Sequence, residues 1–239
     1  MTLNEIEFFD GTLTLIYAII GLLVGLLIIL KYIKIKNRMF LLVGFSLIGL
    51  ESTWYAKVVS FLRALIVGNG LPIEAYTIIA CTTLPLTISI WLIAFSDLRG
   101  LQKRKEVHIS FALIGILFEI YLFTFLIIDP NAIGELEGNI DVDFALIITL
   151  YQFFLILVVT ITVTILARES ITSENPEIKL KGIFLIFSIY SFVAGAILEI
   201  FSSVSIVILV AAKICLVASA LEFYCGFFLP DWVKNLILK

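Results

Sequence analysis

Long apolar runs alternate with short polar segments along the whole chain, at about residues 11–32, 39–63, 73–96, 107–128, 144–167, 180–201 and 203–229. A helix rises roughly 1.5 Å per residue, so each run is long enough to cross a hydrocarbon core about 30 Å thick. The pattern predicts an all-α fold: a seven-transmembrane-helix bundle forming a single domain over 1–239. Small residues recur where such helices pack closely, as Gly21 and Gly25 in the first run and Ser188, Ser191 and Gly195 in the sixth. Gly68, Gly70 and Pro72 mark a turn after the second run, and Pro85 sits inside the third among Thr82, Thr83, Thr87 and Ser89. The tail DWVKNLILK can set Trp232, Val233, Leu236 and Ile237 on one face, which predicts a short interfacial helix at the C-terminus.

Polar residues inside these runs carry the candidate chemistry. Lys213 stands about ten residues into the last run, or roughly 15 Å deep, where a charge costs several kcal/mol without a partner. Glu51 and Glu119 are carboxyls at comparable depth, and Trp54 and Tyr55 share the Glu51 face at i+3 and i+4. Thr83, Thr87, Gln152 and Tyr190 complete a midplane set. One expectation is an ion pair of Lys213 with Glu51 or Glu119, with Glu51 favoured, and of Lys57 with Glu199 in the outer half. A second is a pocket that binds a small, mostly apolar ligand, walled by the aromatic residues. A third is a proton or ion pathway through the two carboxyls. Seven spans with a lysine in the last also match the outline of retinal proteins, but Leu209 stands one turn before Lys213 where those proteins carry an aspartate. Glu222 projects to the opposite face of that helix.

Composition sets the class. Apolar residues make up 62% of the chain and charged residues 15%, against about 45–50% and 25% in soluble domains. Cys81, Cys215 and Cys225 all fall inside apolar runs and read as small buried thiols, and His108 is the single histidine, so no metal and no cofactor are expected. Met1–Asp10 holds Glu5, Glu7 and Asp10 where a secretory leader would be basic, so no leader is expected either. Thirteen of the sixteen Lys and Arg residues lie in the segments after runs one, three and five and in the tail. The positive-inside rule then predicts an external N-terminus, a cytoplasmic C-terminus and a plasma-membrane location. The expected partners are the bilayer, anionic lipid at basic loops such as Lys103, Arg104 and Lys105, a small apolar ligand and a cytoplasmic protein, with no nucleic acid.

The stretches ENPEIKLKG (174–182) and EFYCGFFLPDWVK (222–234) resemble segments of a group of archaeal seven-helix integral membrane proteins. That resemblance implies topology and an archaeal-type plasma membrane, and it carries no activity. The expectation for function is a non-enzymatic receptor or sensor with a polar midplane site. A transporter or proton- or ion-conducting protein is the alternative, and retinal binding through Lys213 is a lesser one.

Overall fold

The computed structural model describes residues 3–238, apart from the side chain of Val204. Helices follow in the order α1 (Glu5–Ile35), α2 (Met39–Leu50), α3 (Ser52–Val67), α4 (Ile73–Cys81), α5 (Leu84–Arg99) and α6 (Arg104–Ile128). After a two-stranded hairpin come α7 (Leu146–Ile171), α8 (Pro176–Ile200), α9 (Ile206–Phe228) and α10 (Asp231–Ile237). Among the described residues six helices, α4 and α5 counted as one, are long and apolar enough to cross a membrane, and there are seven if the bent pair α2 and α3 is a single span. Their outer faces are apolar: Leu113, Ile116, Leu117 and Ile120 of α6 are all more than half exposed. In water that surface would be costly, whereas lipid tails solvate it without penalty.

Two expected spans are interrupted. The second is broken at Glu51 and bends by 50° there. The third is interrupted at Thr82 and Thr83, just ahead of Pro85, whose missing N–H leaves the carbonyl four residues back without its helical donor. The polar stretch after α6 forms a 3-10 turn (Pro130–Ala132) and an antiparallel hairpin of β1 (Gly134–Glu137) with β2 (Asp141–Phe144). Gly138, at φ 66°, supplies the left-handed residue of its turn. Ile133, Ile140 and Val142 are buried while Glu135, Glu137 and Asp143 face out, so the segment buries enough apolar surface to order itself.

Contacts divide the chain into two compact units: residues 1–19 with 45–155, and residues 20–44 with 156–239. In the first, Tyr76, Ala80 and Cys81 of α4 pack with Phe118 and Leu122 of α6, with Ile133 and Val142 of the hairpin region, and with Ile148 of α7. In the second, α8 and α9 form a close antiparallel pair. Gly195 lies against Leu216 and Gly226 against Leu185, and a Cβ on either would approach those leucines within 2.8 Å. Ser188 Oγ donates to the Ser219 carbonyl at 3.0 Å across the same interface. Val233 of α10 packs on Leu180 and Leu229, giving the short C-terminal helix that the tail pattern predicts.

Candidate functional site

The two helix interruptions of the first unit face each other. Gly49, Glu51 and Ser52 include weak helix formers, and here tertiary contacts exploit that weakness. Ser52, the first residue beyond the Glu51 break, donates its hydroxyl to the carbonyl of Ala80 at 2.9 Å. Ala80 is the penultimate residue of α4, just ahead of the second interruption. On the other side of the break Gly49 packs so closely on the side chain of the buried Thr87 that no Cβ would fit. Residues from both interrupted spans thus line one junction.

The Glu51 carboxyl lies in that junction and is 1% exposed. Tyr55, one turn on in α3, donates to Oε2 at 3.0 Å, and Tyr17 of α1 also hydrogen-bonds the carboxyl. Tyr17 meets Trp54 edge to face, with ring centroids 5.4 Å apart. Oε1 is buried with no hydrogen-bond partner. Its chemistry is that of a carboxyl walled by aromatic residues, which carries a proton or accepts a cation that enters.

Nearer the hairpin, a second polar cluster surrounds Lys57 of α3. Its ammonium pairs with Asp10 of α1 at 2.9 Å and with Asp141 of β2 at 2.6 Å. Thr14 donates to the same Asp10 at 3.0 Å, and the Tyr76 hydroxyl donates to Asp141 at 2.9 Å. The Lys57 and Asp10 side chains are 5% and 9% exposed, and Asp141 is 31% exposed. Glu7 accepts from the Asn139 N–H at 2.6 Å, and Ser60 donates to the Asn139 carbonyl at 2.8 Å. These bonds tie the hairpin turn to α1 and α3. Sequence reasoning missed Asp10, Tyr76 and Asp141. The apolar run starts at residue 11 and leaves Asp10 outside it, but α1 starts at Glu5 and carries Asp10 into the helix. Asp141 is one of five acids in the polar stretch 129–143, and nothing local singles it out. The available signal was Lys57 itself, since a lysine in an apolar helix requires acids nearby.

In the second unit Lys213 is buried and pairs with Glu199, where the depth count had pointed to Glu51 or Glu119. Helix direction explains the difference. Side chains lean toward the N-terminus of their own helix. Lys213 therefore leans toward the α8–α9 turn and Glu199 away from it, and the two long side chains meet although their Cα atoms differ in depth.

The other predicted residues are distributed as follows. Glu119 lines an open groove of about 640 Å³ between α5 and α6, with Thr82, Pro85, Ser89, Gly115 and Thr124, and its Oε1 is buried without a partner. Gln152 of α7 donates to Cys81 Sγ at 3.9 Å, beside Tyr151 stacked on Phe118. Thr83 lies exposed in the interruption, and Tyr190 is 54% exposed. Glu51, Trp54, Tyr55 and Thr87 are the predicted set that converges, joined by Tyr17, Ser52 and Ala80. No protein-family model matches this chain, and no curated protein matches it either.

Proposed function

We propose that the protein is a membrane transporter or proton-conducting protein whose coupling residue is Glu51. The observation that carries this reading is the Ser52–Ala80 hydrogen bond joining two interrupted helices beside a buried carboxyl with an unpartnered oxygen. Interrupted helices survive at membrane depth only where protein or an aqueous cavity surrounds the freed backbone, and transporters build substrate and ion sites at such places. An intramembrane carboxyl is expensive, so its retention at the break argues for a proton or cation held there during the cycle. Tyr17 and Tyr55 orient the carboxyl. No chemical conversion is assigned to it.

A receptor or sensor is the second reading. It draws on the α5–α6 groove, where an apolar ligand entering from lipid would meet Glu119. Lys213 does not favour a retinal linkage, because an ammonium held by Glu199 is not the free amine a Schiff base requires. The charge pattern supports an external N-terminus and hairpin and a cytoplasmic C-terminus in a plasma membrane.

The test is proton flux into liposomes that hold a pH-sensitive dye, under an imposed potential and an imposed pH gradient. Wild-type protein should conduct, Glu51→Gln should not, and Glu119→Gln should keep most of the flux. Equal flux in wild type and Glu51→Gln, or none in wild type under either gradient, overturns the proposal.

A further inference from the structure

Four helix ends of the second unit come together at one place. Lys31 lies one turn before the end of α1, Phe40 at the start of α2, Lys181 early in α8, and Phe228 at the end of α9. The Lys31 ammonium sits 4.0 Å from the ring centroid of Phe228 and 5.0 Å from that of Phe40, and Lys181 is within electrostatic range of it. Both lysines are half-buried.

The natural acid for Lys181 is Glu177, one helical turn earlier, but the Glu177 carboxylate is engaged by Lys234 of α10. Among the described residues no carboxylate pairs with Lys31 or Lys181. Two cations are thus held near one another, Lys31 against the two aromatic rings, with no paired carboxylate among the described residues. A single cation over a ring is attracted by it, but a second cation beside the first is repelled, and a shared anion relieves that repulsion.

The setting indicates which anion. α10 lies against this end through Val233 and leaves Trp232 and Leu236 exposed, as a helix does at the boundary between lipid and water. A lipid phosphate occupies that level, with its acyl chains running down the apolar helix faces beneath. We propose that Lys31 and Lys181 form a binding site for the phosphate of an anionic phospholipid, bordered by Phe40 and Phe228. This site is separate from the exposed Lys103, Arg104 and Lys105.

The test counts lipids retained by the full-length protein after delipidation and exchange into micelles of equal phosphatidylglycerol and phosphatidylcholine, read by native mass spectrometry. Two lysines near a headgroup give about a tenfold to thirtyfold preference for phosphatidylglycerol in wild type. Lys31→Gln with Lys181→Gln should reduce it to about twofold or less, whereas Lys103→Gln with Lys105→Gln should leave it unchanged. Should the double variant fail to fold, Lys181→Gln alone decides, and it should lose several-fold of the preference. Phe228→Leu, which keeps both charges, should lower it with an unchanged unfolding temperature. The proposal falls if wild type shows no preference, if the 103/105 variant loses it instead, or if Lys181→Gln retains it. Displacement of the lipid by millimolar inorganic phosphate also overturns it, because the site would then be one for free anions.

Discussion

The hydroxyl of Ser52 and the carbonyl of Ala80, 28 residues apart in the chain, form a 2.9 Å hydrogen bond that holds two helix interruptions against each other. In water a freed carbonyl finds solvent, but inside an apolar bundle Ala80 depends on a neighbouring donor. Ser52→Ala should therefore cost about 1 kcal/mol in reversible unfolding, with Ser52→Thr close to wild type. In liposomes the alanine variant should lose more flux than its stability loss explains. Unchanged stability and flux would mean that the contact does not set the geometry of the break.

The Lys57 cluster gives a different response. Lys57→Met strands Asp10 and Asp141, and removing one member of a buried pair costs up to about 3–5 kcal/mol. Asp141 is partly hydrated, so the loss should fall toward the lower end. Adding Asp10→Asn should recover part of it, which chemical unfolding in detergent can read. The hairpin should also exchange its amide hydrogens faster in Lys57→Met, because Asp141 is one of its two ties to α3, beside the Ser60–Asn139 bond. Unaltered exchange at Val142 would refute that tie.

Lys213 belongs with Glu199. Lys213→Met should destabilise the second unit, and Lys213→Met with Glu199→Gln should regain part of the loss. A strictly additive double variant would show that the pair contributes no coupling.

The exposed pair at the C-terminus predicts a pH effect. The hydrogen bond and charge of Glu177 raise the Lys234 ammonium above its ordinary 10.5. A proton bound more tightly in the docked state supports docking fully below the lysine's unfolded value. That support is lost as pH rises through the raised one. Docking of α10, followed by Trp232 fluorescence, should hold through neutral pH and fall off on the alkaline side of about 10.5. Glu177→Gln should flatten that alkaline step. An identical step in both proteins would remove Glu177 as its cause.

Orientation is open to labelling. Single cysteines at positions 135 and 137, on the outward side of the hairpin, should react with an impermeant maleimide in intact cells. Cysteines at 103 and 105 should react only after permeabilisation. The reverse pattern would invert the assignment made from the basic segments.

The sequence by itself determined the membrane helices, the turn after the second span and the C-terminal helix. Each is a local sum over adjacent residues: apolar length against a fixed bilayer thickness, Gly and Pro at breaks, or one apolar face in the tail. It also marked Glu51, Lys57 and Lys213 as residues needing an explanation, because the cost of a charge in an apolar helix does not depend on the partner. Tertiary structure decided the partners. Asp10 is 47 residues from Lys57, and nothing local ties the two together. Asp141 reaches that lysine only because Gly138 turns the acidic segment into a hairpin. The choice of Glu199 for Lys213 depended on antiparallel helices leaning their side chains toward each other, which depth counted along one chain does not contain. The break at Glu51 combines both levels. Gly49 and Ser52 weaken the helix locally, and contacts with Thr87 and Ala80 make the interruption part of the fold.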